Sequence, residues 1–199
     1  MNSKRRFNTS GPCDPEKHYV LRREQLICKG KEQINDGRYF TIFAPRQSGK
    51  TTYFQLLINK IKDNFSPIYV SFENNQEYTK EEFYEDFSEQ LSEELEQYGV
   101  STKAFNGCRE LEKLLKKIKN QIKPLIIFID EFEGVPESVV NELMHTFRKI
   151  YHRKQYYCLH SIVLVGVSTI AELVLSSASP FNITDELEIP YFTEKESCL

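Results

Sequence analysis

The sequence predicts an α/β protein, a three-layer α/β/α fold around a mainly parallel sheet, and two observations carry that expectation. The runs Leu125-Ile126-Ile127-Phe128-Ile129 and Ser161-Ile162-Val163-Leu164-Val165 are apolar at nearly every position, the pattern of strands covered on both faces. Between such runs lie segments whose apolar residues recur every three or four positions, so strand and helix alternate and the connections favour parallel pairing.

Residues 1–36 read as an N-terminal arm and a lead helix. The arm is rich in turn formers from Phe7 to Pro15, and the helix runs from about Leu21 to Asn35, closed by Asp36-Gly37. Residues 37–199 read as a single core. Its first strand is the aromatic and β-branched run Tyr39-Phe40-Thr41-Ile42-Phe43, followed by the loop Ala44 to Gly49. From Lys50 the spacing of Phe54, Leu57, Ile58 and Ile61 predicts a helix that stops at Asn64-Phe65-Ser66-Pro67, with a strand from Ile68 to Phe72 directly after it. Thr79 and Glu82 form a capping box ahead of Phe83, Phe87, Leu91 and Leu95, and Gly99 closes that helix. A basic helix built on Leu111, Leu115, Ile118 and Ile122 is expected to run to Pro124. A helix from about Glu137 to Tyr151 separates the two long apolar strands, and Leu187-Glu188-Ile189 is a short fifth strand.

The 199 residues, with a hydrophobic fraction of 40%, suit one packed domain rather than a disordered or fibrous chain. A net charge of −3 supplies no global attraction to nucleic acid or to an acidic membrane. The acidic residues from Glu81 to Glu94 and the lysines from Lys113 to Lys123 read as solvated helix faces. No apolar run approaches the roughly 20 residues that cross a bilayer, and the start leads into polar sequence, so no membrane association and a cytoplasmic location are expected. The five cysteines are scattered and odd in number, which fits free thiols better than a disulfide framework or a zinc site. The four histidines are dispersed too, and His145 and His152 have no nearby partners with which to hold a metal.

The chemistry lies in the loop after the first strand. Ala44-Pro45-Arg46-Gln47-Ser48-Gly49-Lys50-Thr51 follows the phosphate-loop pattern G-x-x-x-x-G-K-[ST], with alanine at the first position, and it sits between a strand and a helix as the pattern requires. Such a loop wraps backbone N–H groups around a phosphate at a helix N-terminus. Gly49 allows close approach, Lys50 would lie along the β- and γ-phosphates, Thr51 would complete a magnesium shell, and Thr52 falls at the α-phosphate end. The strand Leu125–Ile129 delivers Asp130, the expected magnesium partner, and Glu131, the expected base that orients water. At the end of the following strand Ser168, or Thr169, could sense the γ-phosphate or simply cap the next helix. Arg148 and Arg153 are candidates for an arginine finger acting in a neighbouring subunit, and Arg46 could lean toward phosphate or a partner.

With these residues in place, the sequence resembles the AAA-like ATPases of the additional-strand, catalytic-glutamate division of P-loop proteins. More narrowly it resembles the domains related to STAND and archaeal-type ATPases. The likeness rests on Phe7-Asn8-Thr9-Ser10-Gly11-Pro12-Cys13, Gly37-Arg38-Tyr39-Phe40, Ala44 to Thr52, Ile129-Asp130-Glu131 and Ser179-Pro180-Phe181-Asn182-Ile183. It implies strand order 5-1-4-3-2, ATP as the nucleotide, and an adenine contact near His18-Tyr19-Val20. Relatives often continue into a helical lid; none is read here after the fifth strand, and weak hydrolysis in isolation is the expectation.

The function expected is therefore a magnesium-dependent ATPase core that couples hydrolysis to a conformational switch. A nucleotide-gated module that binds a protein, a second copy or DNA and barely hydrolyses is the alternative. A small-molecule phosphotransferase is disfavoured because a kinase has no use for a water-activating glutamate at Glu131.

Overall fold

The computed structural model describes residues 17–21, 23–43, 45, 48–166 and 186–190. In chain order the elements are α1 (Glu24–Asn35), β1 (Phe40–Phe43), α2 (Lys50–Ile61), β2 (Ser66–Ser71), α3 (Lys80–Glu96), α4 (Cys108–Lys117), β3 (Leu125–Asp130), α5 (Glu137–Tyr151), β4 (Leu159–Gly166) and β5 (Glu186–Glu188). Every neighbouring strand pair is parallel, and the five-stranded sheet runs β2-β3-β4-β1-β5. Counted from the β5 edge this is the expected order 5-1-4-3-2, with β4 lying between the loop-bearing β1 and the acid-bearing β3.

The continuous apolar runs are explained by the two layers they meet. Leu125, Ile127 and Ile129 of β3 join Phe83 and Leu91 of α3, Leu111 of α4 and Leu143 and Phe147 of α5 in one cluster. Ile126 and Phe128 turn the other way, onto Ile27 and Ile34 of α1 and Phe54 and Leu57 of α2. Ile126 through Ile129 are fully buried, and each such side chain contributes ~1.5–3 kcal/mol relative to exposure. This interior strand, β3, is thus held from both faces, which fixes where its carboxyl end emerges.

The capping box at the start of α3 forms as read: Glu82 N donates to Thr79 Oγ1 and Thr79 N donates to the Glu82 carboxylate. Of the boundaries that differ from expectation, three have a local cause. The lead helix starts at Glu24, not Leu21, because Arg23 adopts a left-handed backbone (φ 43) and its guanidinium donates to Pro190 O at 2.7 Å. The basic helix ends at Lys117, well short of Pro124; Ile118 and Lys119 lead into tight turns, and the proline biases Lys123 toward extended backbone. β2 begins at Ser66 and takes in Pro67, which the sequence pattern reads as a stop.

Pro67 is tolerated because β2 is an edge strand. Ser66 N and Phe72 N donate toward β3, to Pro124 O and Asp130 O, so by alternation Pro67, Tyr69 and Ser71 present their backbone groups to the outer edge. Side chains of α3 and its C-terminal turn satisfy them: Tyr98 donates to Pro67 O, the Glu94 carboxylate accepts from Tyr69 N, and Gln90 both accepts from Ser71 N and donates to Ser71 O. The match is metrical, since four helical residues rise about 6 Å while two strand residues advance about 6.6 Å. Asp86 adds a bond to Gln90. Asp86 and Glu94, read as part of a solvated acidic face, therefore work as hydrogen-bond partners in closing an edge that would otherwise accept another strand.

Replacing Gln90 with leucine leaves Ser71 N and O without partners. The expected cost is about 2 kcal/mol, read as a lowered midpoint in urea unfolding with an unchanged m-value.

Candidate functional site

β1 and β3 end at the same end of the sheet with β4 between them, and the segments that follow them carry the functional side chains. Gly49 occupies φ 86, ψ 22 immediately before α2, a left-handed conformation that glycine adopts without steric cost. The turn makes Lys50 the first residue of the helix. Of the loop, Pro45, Ser48 and Gly49 are described, while Ala44, Arg46 and Gln47 lie outside the described residues, as do Ser168 and Thr169. The Phe7–Cys13 and Ser179–Ile183 segments lie outside them as well.

The centre of the site is the Asp130 carboxylate, whose side chain is 8% exposed. Lys50 Nζ donates to its Oδ1 at 2.7 Å across 80 positions of sequence. Glu131 N donates to the same oxygen at 2.9 Å. Tyr69 Oη, from the neighbouring β2, donates to Oδ2 at 2.6 Å. Lys50 also lies 4.0 Å from Glu131 Oε1, so one ammonium faces both acids.

Glu131 stands at φ 51, ψ 48, left-handed without being glycine. Two bonds impose that turn: its N–H to Asp130, and its carbonyl accepting from Gly134 N at 2.8 Å. The short helical turn Phe132–Gly134 then packs so tightly on the end of β2 that a Cβ on Gly134 would lie 1.8 Å from Phe72 O. The consequence is a carboxylate swung off the strand direction, more exposed than Asp130 yet still beside Lys50. Burial, then the neighbouring Glu73 carboxylate, push the Glu131 carboxyl above its usual range, and Lys50 pulls the other way. Burial and the bond to Asp130 push the Tyr69 phenol far up, so it remains a donor.

Two observations bear on what the site could hold. Ser48 is 2% exposed and its Oγ has no hydrogen-bond partner among the described residues, a buried polar atom awaiting one. It lies in a loop that feeds a helix N-terminus, where an anion is favoured. Among the described residues no group of three or more His, Cys, Asp and Glu side chains could hold a metal alone. An ion such as magnesium would need phosphate oxygens and water beside the hard oxygens of Thr51 and Asp130, as that ion usually does. The site fits a nucleotide–magnesium pair on these grounds.

The structure therefore brings together Lys50, Asp130 and Glu131, with Ser48, Gly49, Thr51 and Thr52 at the same loop and helix start. Thr51 is exposed and Thr52 half-buried. Arg148 and Arg153 do not join them: α5 leads back to the opening end of β4, away from the carboxyl end of β3. His145 and His152 are exposed. Sequence reading missed Tyr69, Glu73 and Gly134. Tyr69 was legible only as an alternating strand residue; the register that pairs Ser71 with Asp130 puts it on the same face as Asp130, two residues back.

The sequence matches a family described as an ATPase domain predominantly from Archaea over residues 24–197. No curated protein matches it. A Walker-type ATPase of Pyrococcus abyssi superposes with a TM-score of 0.71 at 17% identity, over 96% of this chain and 59% of that one. Cdc6p from Pyrobaculum aerophilum superposes at 0.63 and 14% identity, over 89% and 48%. The ORC2 protein of Aeropyrum pernix, solved in ADPNP–ADP complexes, gives 0.63 and 14%, over 89% and 50%. At these identities the likeness shows the shared fold, and the chain spans about half the length of these proteins.

Introducing alanine at Gly134 forces the Phe132–Gly134 turn away from β2. Its expected signature is a stability loss above about 2 kcal/mol in denaturant unfolding, larger than that of Gly107→Ala, where a Cβ meets nothing closer than 3.6 Å.

Proposed function

The chain belongs to the family of ATPase domains found predominantly in Archaea, and from that premise we propose that it binds ATP with magnesium and hydrolyses it at the Lys50–Asp130–Glu131 cluster. The observation that carries the reading is the Lys50 ammonium 2.7 Å from Asp130 and 4.0 Å from Glu131. It supports a cation, a metal-partner carboxylate and a candidate base assembled where the loop meets the sheet.

When bound, magnesium would screen the phosphate charge and be held through the Thr51 hydroxyl and the Asp130 carboxylate. The protein's own contribution begins with Lys50, which leaves Asp130 for the β- and γ-phosphates. That exchange replaces one charge-assisted bond with another, so the triphosphate need not meet the desolvation of a bare ammonium. The N-terminus of α2, which opens at Lys50 after Gly49, would supply backbone N–H donors, with the Ser48 hydroxyl, unpartnered among the described residues, beside them. Glu131, freed from the nearby ammonium, accepts a proton from the attacking water and orients it. Its raised pKa suits a base that must hold a proton briefly.

Residues 37–199 form the ATPase core in this reading, with residues 1–36 as its arm and lead helix, and the switch that hydrolysis resets is the release of Lys50 from the acid pair. Ser168 remains the candidate γ-phosphate sensor. A protein partner, a second copy of the chain or DNA would receive the output.

ATP binding and phosphate release, measured in one preparation with and without magnesium, test the reading. Lys50→Ala is expected to abolish binding, and Glu131→Gln to keep it while slowing release by about 100-fold or more. A wild type that binds no ATP would sink the assignment; one that binds but releases phosphate no faster than Glu131→Gln would reassign it to a nucleotide-gated switch.

A further inference from the structure

Asp130 has two oxygens with separate partners. Oδ1 is shared by Lys50 Nζ and Glu131 N, whereas Oδ2 is held by Tyr69 Oη alone among the described residues, in a short bond of 2.6 Å. Tyr69 is itself fixed. Its backbone N–H bonds the Glu94 carboxylate of α3, two residues further on Gln90 clamps Ser71, and its ring packs with the α1–α2 cluster that includes Phe128, its register partner on β3. The phenol reaches diagonally along the sheet to the acid, a span within an aromatic side chain's reach.

We propose that Tyr69 is the positioning residue that holds the Asp130 carboxylate in its metal-receiving orientation once Lys50 departs. This rests on the reading of the site as a nucleotide–magnesium centre. When Lys50 transfers to phosphate, Oδ1 loses its strongest partner, and a carboxylate with one backbone bond can rotate about its last torsion. The Tyr69 bond survives the transfer and adds a second fixed point to that backbone bond. It pins Oδ2, so Oδ1 stays directed at the space the ammonium has left. Partners that orient a metal's carboxylate in this way commonly carry about 10–100-fold of metal affinity.

Tyr69→Phe removes the hydroxyl and keeps the ring in its cluster. Tyr98→Phe is the matched control: it too removes a phenol bonded to β2, at Pro67 O, but has no contact with Asp130. Affinity for a fluorescent ATP analogue is measured in EDTA and across a magnesium titration, with thermal melting of each variant alongside. The expected result is a magnesium requirement about tenfold higher for Tyr69→Phe, with EDTA affinity unchanged, while Tyr98→Phe titrates like the wild type even where its melting point falls. Identical titrations for Tyr69→Phe and the wild type overturn the positioning role, as does an equal shift in Tyr98→Phe, which would mark a general loosening of β2. If the wild type binds the analogue with no response to magnesium, the metal reading itself fails and the inference falls with it.

Discussion

A carboxylate buried at the end of a sheet strand has to be paired. An uncompensated charge at such a depth costs several kcal/mol, whereas an exposed pair is worth ~0–1 kcal/mol. Asp130 meets that requirement with three donors drawn from three parts of the chain: Lys50 at the start of α2, Tyr69 on β2 and the N–H of Glu131. The strand order follows the same logic. β3 lies inside the sheet and is covered on both faces, β2 must flank it to bring the phenol, and β1 must end close enough across β4 for the first residue of α2 to reach over. The packing that stabilises the fold and the ion pair that prepares the site are therefore one arrangement, and a shift of β2 or of α2 would be felt at the same oxygen atoms.

The parts of this arrangement that could be read from sequence were those set by local periodicity. The buried strands announced themselves as Leu125–Ile129 and Ser161–Val165, the α3 cap as Thr79 and Glu82, and Lys50 with Asp130 and Glu131 as a loop and an acid pair at the ends of two strands. In the folded chain Lys50 and Asp130 stand 2.7 Å apart. What stayed hidden was set by register and by helix phase. Tyr69 bonds Asp130 only because β2 and β3 pair Ser71 with Asp130, and nothing local in Ile68-Tyr69-Val70 states that register. Asp86, Gln90 and Glu94 look like any solvated helix face until four-residue spacing is set against two-residue spacing on the edge strand. Pro67 looked like a terminator for the same reason: whether its missing N–H matters depends on which edge it faces.

On the β2 side, α3 occupies the outward backbone groups with side chains, so that edge is not open to strand addition. Because the strand whose edge is closed is also the strand that holds Tyr69, the bonds from Glu94 and Gln90 do more than prevent aggregation. They fix the backbone at Tyr69 and at Ser71, on either side of Val70, and so set the position from which the phenol reaches Asp130.

Glu131 shows where local preference gives way. A non-glycine residue in the left-handed region is disfavoured by roughly 1–2 kcal/mol, and a glycine or asparagine there would be the easier choice for folding. The conformation is held by bonds on both sides, from Glu131 N to Asp130 and from Gly134 N to Glu131 O, and by a glycine whose absent Cβ lets the next turn rest on Phe72. Continued in the β conformation, the chain would carry the Glu131 side chain to the opposite face from Asp130 and away from Lys50. The left-handed turn puts consecutive acids on one side of the sheet end, which simple strand alternation forbids. A strained backbone kept by three separate contacts, at the residue whose carboxylate lies nearest the ammonium after Asp130, is the mark of a position selected for where it points rather than for how it folds.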